Sequence, residues 1–293
     1  KSIGALNINV LFDNFNIEDG ELYTYNREKT VIHGAYTKLN NDDSKWFSSP
    51  LIQGDEVYIE YNTHKNDKHI PFRIKGILHD YRDILGMADR DHDGCGDNVV
   101  CENDTLYQTM IDASAWLVMP DGTGGWICSG SMVNNNNKDY EPYFLTADHC
   151  VDGLQPSIFN MYFKYATTSC SGESASQGSY FYGSTFKVSA DMNHGDYALL
   201  LINERSISKS QDVYYNGYDG NNEPPQILCG VHHPGGQPKR INYDDDVGYS
   251  DYWTNPSFPN THWRLFWDEG GVEGGASGSP LFNDMKRTVG VLS

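Results

Sequence analysis

Short segments in which apolar and polar residues alternate follow one another along almost the whole of this 293-residue chain. Tyr, Val, Ile and Phe dominate them, and Asn, Asp and Gly separate them, as in antiparallel β-structure. Residues 107–114 form a single weak helical pattern. The spacing therefore predicts an all-β protein. The predicted strands are residues 6–12, 21–25, 31–36, 56–61, 72–79, 115–119, 143–147, 159–165, 197–202, 226–231 and 263–267.

Cysteine usage divides the chain. Residues 1–94 contain no cysteine, and all six cysteines follow. We predict a small N-terminal β-sandwich over residues 1–85, an acidic linker leading into the next unit over residues 86–105, and a barrel or pair of barrels over residues 106–293. An even number of widely spaced cysteines is typical of disulfides and an oxidising compartment. Without a C-x-x-C pair or a His-rich cluster, a zinc site is not favoured.

The charge balance excludes some partners. The formal net charge is −19, from 40 acidic and 21 basic residues. Such a surface repels phosphate backbones, so we expect no nucleic-acid partner. No apolar run reaches the roughly 18 residues that a membrane-spanning helix needs. The chain opens without a signal-peptide core, so we expect that a signal was removed or that the sequence is a fragment. We expect a secreted monomer.

Three segments carry residue types used in nucleophilic catalysis. His149 follows an apolar strand and precedes Cys150, which can pin this loop by a disulfide to Cys128, a reach that suits a hairpin. Asp196 stands at the entrance of an apolar strand, where a mostly buried carboxylate can face a histidine. Ser277 lies within Gly-Gly-Ala-Ser-Gly-Ser, whose small residues allow a sharp turn that exposes one hydroxyl.

These residue types complement one another chemically. A serine hydroxyl is a poor nucleophile alone, so Ser277 needs His149 as its base. Asp196 would hold the imidazole tautomer and stabilise the imidazolium. The backbone N–H groups of Gly275 and Ser277 are candidates for an oxyanion hole. The order His, Asp, Ser along the chain is that of the chymotrypsin barrels.

Each segment alone has an ordinary structural interpretation: a surface histidine, a turn aspartate and a flexible Gly-Ser loop. Their combination in this order favours a catalytic triad. We therefore predict a serine endopeptidase that cleaves proteins or peptides through an acyl-enzyme and needs no cofactor. The alternatives are a catalytically silent binding or adhesion protein on a protease scaffold, which the intact triad disfavours, and an esterase that uses the same triad.

From about residue 95 onward the chain resembles the lysyl endopeptidases, secreted bacterial proteases of the trypsin-like superfamily. The resemblance implies a double β-barrel, disulfides Cys101–Cys170 and Cys128–Cys150, and cleavage after lysine. The resembling stretches are Cys95-Gly-Asp-Asn-Val-Val-Cys, Cys128-Ser-Gly-Ser-Met-Val-Asn-Asn, Tyr143-Phe-Leu-Thr-Ala-Asp-His-Cys, Asp196-Tyr-Ala-Leu-Leu, His232-His-Pro, Lys239-Arg-Ile and Gly275-Ala-Ser-Gly-Ser-Pro.

The sequence departs from this family in two respects. Residue 293 falls inside an expected strand, so we expect an incomplete second barrel, and the walls of the S1 pocket that select lysine would lie beyond it. The partners of Cys95 and Cys229 stay open, a bond between the two included. Ala276 also occupies the position of the aspartate that pairs with the new N-terminus in trypsin, so we expect packing to set the oxyanion loop.

Two further features remain. Asp89, Asp91, Asp93 and Asp97 resemble the start of a calcium loop, but the twelfth position of an EF-hand is Val100 and no flanking helices are evident. An acidic linker is therefore favoured over a calcium site. The N-terminal sandwich resembles the β-region that precedes the protease in related bacterial precursors. We interpret it as a pro-region or folding aid, with a carbohydrate- or surface-binding domain as the alternative.

Overall fold

The computed structural model describes residues 1–63, 69–81, 85, 95–122, 124–172, 175–176, 178–203 and 213–293. Strands dominate these residues, which confirms the predicted all-β class. The N-terminal strands are β1 (Asn7–Asp13), β2 (Glu21–Tyr25), β3 (Ile32–Tyr36), β4 (Phe47–Ser48), β5 (Ile52–Gln53), β6 (Tyr58–Asn62) and β7 (Arg73–Asp80).

The N-terminal strands form two small sheets. One is centred on β1, which pairs antiparallel with β7 and, near its two ends, with β4 and β5. The other has the order β3-β2-β6. All seven residues of β1 are buried, and the rings of Phe12, Phe15 and Phe47 pack together beside it. This aromatic cluster supplies the core that a small β-unit needs.

A seven-stranded antiparallel sheet follows, in the order β15-β12-β9-β10-β11-β17-β16. It corresponds to the predicted first barrel. Its interior is apolar, with Met119, Phe144, Phe163 and Leu200 fully buried. Its strands are β9 (Ser114–Pro120), β10 (Gly125–Val133), β11 (Tyr143–Thr146), β12 (Asn160–Phe163), β15 (Ser179–Tyr182), β16 (Ser184–Ala190) and β17 (Tyr197–Ile202), and a small hairpin pairs β13 (Ala166–Thr167) with β14 (Ala175–Ser176).

A five-stranded sheet in the order β23-β22-β18-β19-β8 corresponds to the predicted second barrel. Its first strand, β8, comes from the predicted linker, because Asp97 and Asn98 pair with β19. The strands are β8 (Asp97–Asn98), β18 (Leu228–His232), β19 (Arg240–Asp244), β22 (Pro280–Phe282) and β23 (Thr288–Val291), with a separate hairpin of β20 (Tyr249–Asp251) and β21 (His262–Arg264).

Two α-helices lie among the described residues. Helix α1 (Thr105–Ala113) overlaps the helical pattern of the sequence, and the side chain of Asp104 caps it by accepting a hydrogen bond from the N–H of Leu106. Helix α2 (Asp148–Val151) is a single turn. Neither helix has the length and apolar character that crossing a membrane requires.

A buried lysine connects α1 with β19. Lys239 is 1% exposed, and its Nζ donates hydrogen bonds to the carbonyl oxygens of Ile111, at 2.6 Å, and Ser114, at 2.8 Å. Burial disfavours the charged ammonium and lowers the pKa of Lys239 to about 7. These bonds satisfy carbonyls at the end of the helix, where the intrahelical pattern leaves them unpaired.

The N-terminal unit packs against the first barrel sheet through a buried contact. Leu51 and Tyr162 are 1% and 2% exposed, and the backbone N–H of Leu51 donates to the Tyr162 hydroxyl at 2.9 Å. The hydroxyls of Tyr36 and Tyr180 are 2.9 Å apart. Leu51 and Leu78 share one apolar cluster with residues of β9 and β12, chiefly Trp116, Val118 and Tyr162. The contact therefore resembles a domain core more than a loose surface encounter.

Candidate active site

His149 lies at the end of β11, in the single turn of α2. Its neighbour Cys150 is bonded to Cys128 on β10, which ties this end of β11 to the adjacent strand. The side chain of His149 is 28% exposed, so solvent and a substrate can reach it. The disulfide between Cys128 and Cys150 that the sequence suggested is thus present.

The structure brings His149 and Asp196 together. The Nδ1 atom of His149 lies 2.7 Å from Oδ2 of Asp196, and the backbone N–H of His149 donates to Oδ1 at 3.1 Å. Asp196 is fully buried and has a φ of 45°, a left-handed conformation rare for residues other than glycine. This turn, which follows Gly195, aims the carboxylate at His149 before β17 begins.

The electrostatics of the pair follow from this geometry. Burial alone would raise the pKa of Asp196, but the hydrogen bonds from the side chain and backbone of His149 outweigh it, and the pKa lies below its usual value. The hydrogen bond to Asp196 raises the pKa of His149, against the opposing effect of burial. Because an ionised carboxylate only accepts, Nδ1 carries the proton and Nε2 is left as the basic nitrogen.

Ser293 also faces this carboxylate. Its hydroxyl favours the ionised form of Asp196 and lowers the pKa of that group, although this buried hydroxyl lacks a partner of ordinary hydrogen-bond geometry. The Asp196 carboxylate is therefore stabilised from two sides. The larger contribution comes from His149.

The serine loop, residues 274–278, has an alternating pattern of backbone hydrogen bonds. The N–H of Ala276 donates to Glu273 O at 3.0 Å, and the N–H of Gly278 donates to Leu292 O at 2.8 Å. Among the hydrogen bonds of the described residues, none is donated by the N–H of Gly275 or of Ser277. Both N–H groups are therefore available to an outside acceptor, and Gly275 is buried.

The serine loop reaches the His149 loop through Gly278. Gly278 has a φ of 79°, and a Cβ atom there would lie 2.2 Å from Thr146 Oγ1 and 2.4 Å from Ser129 O. Only glycine permits this approach. Among the hydrogen bonds of the described residues, none joins Ser277 Oγ to His149 Nε2. Such bonds are often long in enzymes without substrate.

Two residues that the sequence did not single out hold this arrangement. Ser129 is fully buried on β10; its N–H donates to Ser277 O at 2.7 Å and its hydroxyl donates to Gly275 O at 2.9 Å. The hydroxyl of Thr146 donates to Ser129 O at 2.8 Å. The available sequence signal was a hydroxyl residue between Cys128 and a glycine, too common a pattern to assign a role.

The remaining predicted site residues lie elsewhere. Cys101 and Cys170 are bonded, as the resemblance implied. Cys95 and Cys229 are free thiols, and burial raises the pKa of each. Of the calcium candidates, Asp97 is exposed on β8, whereas Asp89, Asp91 and Asp93 fall outside the described residues. Asp97 belongs to neither of the clusters that could hold a metal ion among the described residues.

A large cavity opens beside the Asp196 loop. Its volume is about 1640 Å³, and it is lined by His194, His262 and Ser293 together with aromatic side chains such as Trp253 and Trp267. The ring of His194 packs edge-on against Phe258, so the β20–β21 hairpin and its loop form one wall of this space. His149 and Ser277 are not among the residues that line this cavity.

The arrangement of histidine, aspartate and glycine-rich serine loop agrees with a comparison of the sequence with known families. The family described as lysyl endopeptidase, C-terminal domain, matches residues 90–293. The chain belongs to this family. The lysyl endopeptidase of Pseudomonas aeruginosa is 26% identical over 285 residues, which cover 86% of this chain and 56% of that relative. The chain thus spans little more than half the length of this curated lysyl endopeptidase.

Solved structures of proteases also resemble this lysyl endopeptidase family member. A thermostable serine protease from an extremophilic microorganism aligns with a TM-score of 0.46 and 16% identity, over 61% of this chain and 82% of that one. The active form of a protease from M. tuberculosis aligns with a TM-score of 0.42 and 13% identity, over 69% and 80% of the two chains.

Proposed function

We propose that this protein is a serine endopeptidase in which His149, Asp196 and Ser277 form the catalytic triad. The observation that carries the proposal is the buried carboxylate of Asp196 bound to Nδ1 of His149 at 2.7 Å. A buried acid that orients a partly exposed histidine, in the order His, Asp, Ser, is the arrangement that activates a serine hydroxyl.

In this mechanism the Ser277 hydroxyl attacks the carbonyl carbon of the scissile peptide bond while His149 Nε2 takes its proton. Asp196 stabilises the imidazolium that results. The carbonyl oxygen becomes an oxyanion, which accepts hydrogen bonds from the N–H groups of Gly275 and Ser277. His149 then gives its proton to the leaving amine, and water releases the acyl group in a second pass through the same steps. The unpaired state of both N–H groups supports these roles.

We propose cleavage after lysine as the specificity. The support is the name of the relative from Pseudomonas aeruginosa, a lysyl endopeptidase, together with membership of that family. We also propose an extracellular location, because the two disulfides of the described residues form and persist in oxidising compartments. A monomer that acts on proteins or peptides fits this assignment.

We further propose that the N-terminal unit assists the folding of the barrel on which it packs. It covers Tyr162 and Trp116, side chains that would otherwise expose a large apolar surface. It does so on the face of β9 and β12, whereas the serine loop is joined to β10. The unit can therefore support the barrel without occupying the triad.

The test is covalent labelling of the protein with a fluorophosphonate, which reacts with activated serines, alongside Ser277→Ala. We expect rapid labelling of the parent and none of the variant. Peptide and ester substrates then distinguish an endopeptidase from an esterase. A folded parent that does not label would refute the proposal and favour the silent binding protein.

A further inference from the structure

The N–H, the carbonyl and the hydroxyl of Ser129 all form hydrogen bonds. Three of these four bonds join Ser129 to parts of the chain about a hundred residues or more away. Its hydroxyl donates to Gly275 O and accepts from the backbone N–H of His233, both at 2.9 Å. Its N–H donates to Ser277 O at 2.7 Å. Ser129 is fully buried, so water cannot replace any of these partners.

The bonds of Ser129 and two backbone hydrogen bonds together fix the peptide planes of the serine loop. The carbonyls of Gly275 and Ser277 are both held by Ser129, while Gly274 O accepts from the N–H of Gly235 at 2.7 Å and Ala276 O from that of Ser279 at 3.0 Å. In a trans peptide the carbonyl and the following N–H point in opposite directions. Holding Gly274 O and Ala276 O therefore determines where the free N–H groups of the next residues point.

The peptide between Gly275 and Ala276 has two anchors: its N–H donates to the nearby Glu273 O at 3.0 Å, and its carbonyl accepts from the distant Ser129 hydroxyl. Gly275 has a φ of 98°, in the region where glycine moves freely. The peptide between Gly275 and Ala276 lies between the two peptides that carry the free N–H groups. Ala276 has no charged group that could anchor the loop, and the Ser129 hydroxyl is the donor that holds this peptide's carbonyl. Since the same hydroxyl accepts from His233 N, it also fixes the segment that contains Gly235.

We propose that the hydroxyl of Ser129 is a positioning residue for the oxyanion hole: it holds the peptide between Gly275 and Ala276 so that the N–H groups of Gly275 and Ser277 converge on the transition-state oxyanion. This assignment rests on the proposed function. Ser129 does not touch the substrate, and its effect on the reaction passes through the serine loop.

Ser131 provides a matched control. It lies two residues further along β10, so it shares the face of the strand, and it is also fully buried. Its hydroxyl has no hydrogen-bond partner in the described structure. Removing that hydroxyl changes the volume as Ser129→Ala does, but it releases no peptide of the serine loop.

The experiment measures fluorophosphonate labelling of the protein and of Ser129→Ala, Ser129→Thr and Ser131→Ala. The maximal rate constant and the concentration for half-maximal rate are obtained separately, over a range of pH. The rate constant is normalised to the folded fraction, measured by near-UV circular dichroism. For Ser129→Ala we expect a fall of about 10²-fold in the maximal rate constant, the effect of losing one oxyanion donor. The half-maximal concentration and the pH midpoint, which His149 sets, stay unchanged.

Ser129→Thr keeps a hydroxyl and should recover most of the rate, and Ser131→Ala should label like the parent. If Ser129→Ala does not fold, Ser129→Val takes its place, because Val and Thr have the same shape and differ in the hydroxyl. Equal rate constants for the parent and the hydroxyl-free variant would overturn the role assigned to Ser129 but not the proposed function. So would a loss that Ser129→Thr does not recover. A parent that does not label would instead overturn the proposed function.

Discussion

Replacing Gly278 by alanine tests the packing of the serine loop against the His149 loop. The added Cβ would lie 2.2 Å from Thr146 Oγ1 and 2.4 Å from Ser129 O, distances that require the backbone to move. The φ of 79° costs an L-residue about 1–2 kcal/mol, and overpacking adds about 1–3 kcal/mol. A stiffer unfolded chain offsets about 0.4–1 kcal/mol of this. We expect a net loss of roughly 2–4 kcal/mol in the free energy of unfolding.

Gly153 is the matched control, because it has a φ of 71° but no atom within 4 Å of an added Cβ. Gly153→Ala should lose only the conformational part, about 1 kcal/mol after the same offset. Urea unfolding followed by Trp fluorescence gives the free energies, and fluorophosphonate labelling reports the site. Gly278→Ala should label at least tenfold more slowly, Gly153→Ala at the parent rate. Equal stability and labelling for the two variants would show that Gly278 is not packed against Thr146.

Three further predictions concern the triad, acid stability and the N-terminal unit. Asp196→Asn should slow labelling by about 10⁴-fold and lower the pKa of His149 in an NMR titration, because Asp196 raises that pKa; an unchanged titration would contradict the pairing. Burial lowers the pKa of His33 and His232 from 6.5 to about 4. Below pH 6.5 each histidine therefore binds a proton more readily in the unfolded chain, and each lowers the free energy of unfolding by up to about 3 kcal/mol as the pH falls from 6.5 to 4. Urea unfolding of His232→Leu should show a shallower loss over this range, and a slope equal to the parent's would refute it. After cleavage at an inserted protease site within residues 86–94, the two fragments should co-elute in gel filtration, whereas Leu51→Asp should separate them; separation of the parent fragments would refute a stable contact.

The fold class and the histidine–aspartate pair were accessible from the sequence because their signals are local. Strand β17 begins and ends at the predicted residues, since its apolar run is bounded on both sides. The two-residue strands β4 and β5 escaped prediction because so short a segment has no period to detect. The predicted strand 263–267 ends at Arg264 instead, and Phe266 is 66% exposed. There the apolar residues suggested a strand, but among the described strands none continues the pairing beyond Arg264.

The supporting residues were not accessible, because their roles depend on distant partners. Ser129 is 146 residues from Gly275 and 104 from His233 along the chain, and the residues next to Ser129 in the sequence predict neither contact. The left-handed backbone of Asp196 is equally hidden, since an aspartate after glycine occurs in many turns. Long-range contacts of this kind emerge only when the sheets are assembled.

Because Lys239 is buried, the rate at which its amine is acylated measures how often the protein opens around it. Acylating reagents attack neutral amines, and a pKa of about 7 leaves a large share of this amine neutral at physiological pH. Yet a side chain 1% exposed meets no reagent while α1 stays packed on β19. Lys239 should therefore stay unmodified while surface lysines react. Its acylation rate, followed by mass spectrometry, would report how frequently the protein opens enough to expose this part of its interior.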